Sequence, residues 1–66
     1  MPWVMPFSDT VAIANRYFSA AQYLDAAVEY LKAAAVAPTP SAEHNALVLS
    51  WIASERAAFR HSELEL

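Results

Sequence analysis

The chain has 66 residues, of which 58% are apolar and 17% charged, and its formal net charge is −3. Its four basic side chains are scattered, so there is no basic stripe that could neutralise nucleic-acid phosphates; they are Arg16, Lys32, Arg56 and Arg60. Cysteine is absent, which excludes disulfides, thiolate metal sites and thiol nucleophiles. This composition predicts a soluble protein of the reducing cytoplasm.

A chain of this length forms one domain at most and buries only about 60% of its unfolded surface. The apolar excess must therefore lie partly on the surface, where contiguous apolar area usually marks an interface. No segment approaches the roughly 20 apolar residues of a membrane span. The first residues lack the basic region and long apolar run of a signal peptide, so we expect no contact with a membrane.

Residues 1–7 form an apolar arm that Pro2 and Pro6 hold out of helical conformation. Two interpretations of the arm stay open. Trp3 and Phe7 anchor the chain in a partner protein, as buried aromatic residues often do, or the arm folds back over its own core.

The first helix is predicted to begin after Ser8, a favourable N-cap, with Asp9 in its first turn. It runs through Val11 to Phe18, and a turn is expected within residues 19–22.

The second helix, residues 22–36, carries apolar residues on most of its circumference. One stripe comprises Leu24, Ala27, Val28, Leu31 and Ala35, and the other comprises Tyr23, Ala26, Tyr30 and Ala33. A helix of this kind normally packs between two neighbours.

The third helix is predicted from residue 42 to about residue 61, with Thr39 or Ser41 as N-cap and Pro40 in the first turn. Its predicted apolar stripe is Leu47, Val48, Trp51, Ile52, Ala58 and Phe59. Residues 62–66 are expected to form a frayed tail. The fold is thus predicted to be all-α: an antiparallel hairpin and a third packing helix, spanning residues 8–61.

Six residues of the hairpin follow a recurring spacing: Tyr17, Tyr23, Ala26, Tyr30, Ala33 and Pro38. In this spacing the chain resembles a tetratricopeptide repeat, in which aromatic and small residues alternate along two antiparallel helices. Ile13 matches the large apolar residue earlier in the first helix. The tryptophan usual in the family is Thr10 here, and Ala14 and Ala21 stand at its two glycine positions.

This resemblance implies a binding module whose third helix caps the hairpin. In the family, the first helix lines the concave groove, and the matching residues here are Ser8, Val11, Asn15, Phe18 and Ser19. The family's carboxylate clamp needs a lysine where this chain has Val11, so the resemblance implies a mixed apolar groove instead. One repeat is too short for a solenoid, so the chain either stacks on copies of itself or is a single hairpin with a lid.

The residue pattern provides no catalytic or metal-binding set. His44 and His61 lack ligand spacing and are expected to be solvated. No glycine is available for an oxyanion loop. We therefore expect no enzymatic activity, no cofactor, no metal and no small-molecule substrate.

The function expected from the sequence is an adaptor or accessory subunit that binds another protein. The predicted contact residues are Val11, Asn15, Phe18 and Ser19 of the first helix with Trp3 and Phe7 of the arm. The alternative is a structural homo-oligomer whose apolar faces serve self-assembly.

Overall fold

The computed structural model describes residues 6–65, and the side chains of residues 6–60. It contains three helices, α1 (Phe7–Ser19), α2 (Tyr23–Ala35) and α3 (Pro40–Glu65), and no strand in the described residues. The predicted all-α fold with three helices is confirmed. Helix α2 lies in the middle and packs against both α1 and α3, as its broad apolar circumference predicts.

The first helix begins one residue before the predicted cap. Pro6, not Ser8, occupies the N-cap position, and Phe7 belongs to α1 rather than to the arm. Pro6 already has the extended backbone that an N-cap needs (φ −57°, ψ 150°). Its carbonyl accepts bonds from the backbone N–H and the hydroxyl of Thr10, each at 3.1 Å. Ser8 is exposed within the first turn.

A tight turn of three residues joins α1 to α2. Ala21 has a left-handed backbone (φ 61°), and the N–H of Gln22 donates to the carbonyl of Tyr17 at 2.8 Å. The N–H of Ala21 donates to the carbonyl of Phe18 at 3.0 Å. These two bonds form a Schellman motif, which reverses the chain and satisfies the last carbonyls of α1.

Of the two predicted N-caps of α3, Thr39 is confirmed, and the helix begins at Pro40, before the predicted start near residue 42. The hydroxyl of Thr39 accepts a bond from the backbone N–H of Ala42 at 3.1 Å, and Pro40 is the first helical residue. The helical backbone continues to Glu65, past the predicted end near His61. Side chains of residues 61–65 lie outside the description, and a frayed tail remains a prediction.

The core is made of small residues. Apart from Tyr30, the buried apolar residues of the described chain are alanines, arranged in two clusters. Near the α1–α2 turn they are Ala14, Ala26, Ala27 and Ala53, and near the α2–α3 turn they are Ala33, Ala34 and Ala46. Alanine lets helix backbones approach closely, and the larger side chains of Phe7, Val11, Tyr17 and Phe18 pack partly buried against the two clusters.

One prediction for α3 is wrong. The face that it turns inward carries Ala46, Ser50 and Ala53, while Trp51 and Phe59 of the predicted stripe are exposed. Bulky side chains do not fit in the narrow space that the alanines of α2 leave, so α3 presents its small residues there. None of the helices in residues 6–65 is long and apolar enough to cross a membrane.

Candidate interaction surface

The outer side of α2 exposes a stripe of large apolar side chains. Leu24, Val28 and Leu31 are 68%, 50% and 52% exposed. Their spacing of four and three residues places them on one face of the helix, and Ala35 continues that face. The stripe therefore points away from the residues of α2 that are buried in the core.

Helix α3 exposes a second pair of large apolar side chains. Leu47 and Trp51 are 44% and 63% exposed. They follow Ala46 and Ser50, which are buried, by one residue each. A shift of one residue turns a helical position by about 100°, so the large residues stand beside the packed face instead of within it.

A contact between α3 and α1 fixes the side on which these residues lie. The guanidinium of Arg56 stands 5.2 Å from the ring centre of Phe18 in α1. Leu47 lies about 180° around α3 from Arg56. Leu47 and Trp51 therefore lie on the side of α3 that faces away from the contact between Arg56 and Phe18. We call the five residues Leu24, Val28, Leu31, Leu47 and Trp51 the outer apolar surface.

The outer apolar surface is large for a chain of this size. The exposed fractions of its members correspond to roughly 500 Å² of apolar area. Monomeric proteins rarely expose contiguous apolar patches above a few hundred Å² unless the patch has a function. Three further apolar residues are exposed elsewhere on α3, namely Val48, Leu49 and Phe59.

The edge of the outer apolar surface on α2 is charged. Asp25 and Lys32 are both exposed and lie on the same side of the stripe, seven residues apart. The ammonium of Lys32 donates to the carboxylate of Glu29 at 3.1 Å, while its side chain stays 63% exposed. An exposed pair of this type contributes little to stability, so Lys32 is still available to a partner.

An open pocket of about 300 Å³ adjoins Leu24 where α2 begins. It is lined by Ala21, Gln22, Tyr23, Leu24, Asp25, Ala57 and Arg60. The pocket lies between the N-terminal end of α2 and the part of α3 that carries Ala57 and Arg60.

The residues predicted to bind a partner through the first helix are engaged to different degrees inside the bundle. Val11 is half-buried and packs against both alanine clusters. Phe18 is half-buried and meets the ring of Tyr23 edge to face at 5.2 Å. Ser19 is exposed. Their role in binding remains a prediction.

The two predicted residues of the arm have different positions. Phe7 is half-buried against Ala33, Ala34 and Ala46. Trp3 lies outside the described residues. The interpretation that Trp3 anchors a partner therefore remains a prediction.

Asn15 is exposed, yet it is tied to the core. Its side-chain oxygen accepts a hydrogen bond from the hydroxyl of Tyr30, the one large side chain buried in residues 6–60. Burial raises the pKa of Tyr30 above its ordinary value of 10.0, because the phenolate would lose its hydration. The pair fixes α1 against α2 and gives Asn15 a structural task.

The residues of the described chain do not assemble a metal site, since no three acidic or histidine side chains cluster there. His44 is exposed on α3, as predicted, and the side chain of His61 lies outside the description. The described residues instead expose apolar area with a charged edge.

Sequence reasoning missed which apolar residues face outward. Helix α3 contains two sets of residues at helical spacing, one residue apart, and either set could form the buried face. The first set is Ala46, Ser50, Ala53 and Ala57, and the second is Leu47, Trp51, Ser54 and Ala58. Both registers have helical spacing, and hydrophobicity favours the second. The small-residue register is nevertheless the buried one.

The chain matches no known family model, and comparisons with curated proteins and with solved structures also find no match.

Proposed function

We propose that the chain is a helical protein-interaction module that acts by binding another polypeptide and has no catalytic activity of its own. The observation that supports this is the outer apolar surface, where five large apolar side chains of α2 and α3 are 44–68% exposed. Burying roughly 500 Å² of apolar area would contribute on the order of 10 kcal/mol before the costs of association. A protein partner is the ligand that best covers a surface of this extent.

We further propose that the α1–α2 hairpin is of the tetratricopeptide type. The residues at its small positions, Ala14, Ala26 and Ala33, are buried, and Tyr30 fills the aromatic position between the helices. Ala21 adopts a left-handed backbone at a position where the family has glycine. These features support the resemblance in spacing, and α3 would then be the capping helix.

The first helix and the arm are the alternative contact surface. In favour of that surface, Ser19 and Asn15 are exposed. Against it, Val11 and Phe18 already pack inside the bundle, so they offer little area to a partner. We therefore place the main contact on the outer apolar surface. A cytoplasmic location stays the prediction made from composition.

A comparison of two pairs of variants tests the proposal. One pair, Leu31→Asp and Trp51→Asp, places a charge on the outer apolar surface; the other, Asn15→Lys and Phe18→Lys, places one on the first helix. The unmodified chain and each variant are immobilised, and the proteins that each of them retains are compared. Soluble copies of the same chain are among the proteins offered. Circular dichroism of each variant checks that the helices persist, because Asn15 bonds to Tyr30 and Phe18 packs against the core.

Loss of binding in the first pair alone supports the outer apolar surface, and loss in the second pair alone supports the first helix. A matched control, Ala12→Asp, places the same charge on an exposed position of α1 and is expected to bind normally. Retention of no protein by the unmodified chain would contradict the function itself.

A further inference from the structure

The charged edge of α2 carries opposite charges at its two ends, so it is complementary to a reversed copy of itself. Asp25 lies near the beginning of α2 and Lys32 near its end, on the same edge of the stripe. When two identical helices pack antiparallel about a two-fold axis, the same edge of each helix lies alongside itself in the reverse direction. Asp25 of each copy then faces Lys32 of the other.

From this pattern we propose that a second copy of the chain covers the outer apolar surface, docked antiparallel through α2 with two-fold symmetry. This inference rests on the proposed function and names its partner.

The antiparallel register follows from the length of α2. The stripe Leu24, Val28, Leu31 and Ala35 extends over nearly the whole helix, Tyr23–Ala35. Full overlap of two copies sets Val28 against Leu31 of the second copy, and Leu24 against Ala35 of the second copy. The two-fold axis then passes between Val28 and Leu31, and each Asp25 lies within about 3 Å, along the axis, of the level of Lys32 of the second copy.

A parallel dimer would not use these charges. In parallel helix pairs, opposite edges meet, and the edge opposite Asp25 and Lys32 carries Ala27 and Ala34, both buried. The antiparallel arrangement instead forms two equivalent ion pairs. The ammonium of Lys32 can serve both its own Glu29 and the incoming carboxylate, because it has three donors.

The available area agrees with a stable dimer. A standard interface buries about 800 Å² per partner, of which about 60% is apolar. That apolar share is about 500 Å², which the outer apolar surface supplies. Leu47 and Trp51 add exposed apolar area on α3.

The decisive experiment mixes two charge-reversed chains, Asp25→Lys and Lys32→Asp, and measures mass by light scattering over a concentration series. Each variant alone places like charges opposite each other twice, and we expect its dimer dissociation constant to rise about tenfold above that of the unmodified chain. An equimolar mixture restores both ion pairs and should dimerise like the unmodified chain. Circular dichroism of each variant checks that the helices persist.

Three outcomes would overturn the inference: an unmodified chain that stays monomeric up to millimolar concentration, single variants that dimerise normally, or a mixture that fails to associate. In the first case the proposed function still stands if other proteins are retained through Leu31 and Trp51, so the two failures are distinguishable.

Chemical crosslinking tests the orientation separately, because the chain has no cysteine of its own. A single cysteine at Val28 lies about 5 Å along the axis from its equivalent in the antiparallel dimer, whereas one at Leu24 lies about 16 Å away. A short bismaleimide linker should join Val28→Cys chains and leave Leu24→Cys chains unlinked. Equal linking at both positions would indicate a parallel dimer and contradict the proposal.

Discussion

The inner faces of the three helices and the outer faces of α2 and α3 contain different kinds of apolar residue. Inside, alanines meet alanines around Tyr30. Outside, Leu24 and Trp51 are more than 60% exposed. Hydrophobicity alone would place the large apolar side chains inside and the alanines outside. The difference teaches that close helix approach, and not side-chain size, decides which face of each helix is buried in this chain.

This division has an energetic consequence. Burial of a methyl-sized group stabilises a fold by only about 0.8 kcal/mol, so an alanine core contributes modestly for each residue. Tyr30 therefore supplies a large share of the stability of the monomer. The larger side chains outside can stabilise the chain only when a partner covers them, which connects the fold to the proposed function.

Truncation of Tyr30 should have the largest effect. Tyr30→Ala removes the one large side chain buried in residues 6–60, and we expect a loss of about 3–5 kcal/mol in the free energy of unfolding, mainly from the cavity. The measurement is urea denaturation at the lowest practical protein concentration, where association is minimal. Because a domain of this size has a total free energy of unfolding of about 3–10 kcal/mol, the variant should be largely unfolded.

Trp51→Ala is the matched control for the outer face. It removes a larger side chain, but one that is 63% exposed, so the monomer should change by less than about 0.5 kcal/mol. Equal losses in the two variants would contradict the distinction between inner and outer faces.

Enlargement of a core alanine should have the next largest effect. Ala53 is fully buried between α3 and α2, and Ala53→Leu is expected to cost about 1–3 kcal/mol, since it forces the two helices apart. Ala58→Leu makes the same change at an exposed position of the same helix. Thermal unfolding of both variants should show a lowered midpoint for Ala53→Leu alone. A stabilised Ala53→Leu would mean that the core is loosely packed.

Much of the fold could be predicted from local signals. Pro38 and Pro40 mark the boundary between α2 and α3, and Thr39 has the side chain of an N-cap, which the structure confirms. The predicted start of α1 is two residues too late, because Pro6 competes with Ser8 for the N-cap position. A proline already has the backbone conformation that an N-cap needs.

The orientation of α3 could not be predicted in the same way. Two registers of helical spacing, one beginning at Ala46 and one at Leu47, both satisfy the periodicity of a packed helix. The choice between them depends on the width of the space beside Ala33 and Ala34 of α2, which is a tertiary property. The outer apolar surface follows from that choice, and so does its location away from the predicted residues of α1.

The smallest expected effect concerns the turn that holds the inner faces of α1 and α2 together. Ala21 is left-handed (φ 61°), a conformation that strains any residue with a Cβ. Ala21→Gly should therefore raise the free energy of unfolding by up to about 1 kcal/mol, partly offset by the freedom that glycine adds to the unfolded chain. Ala20→Gly, at a right-handed position (φ −87°), should gain nothing. If urea denaturation shows the two variants to be equal, the Schellman turn does not limit the stability of the hairpin, which then depends on the packing of α1 against α2 and on the hydrogen bond between Tyr30 and Asn15.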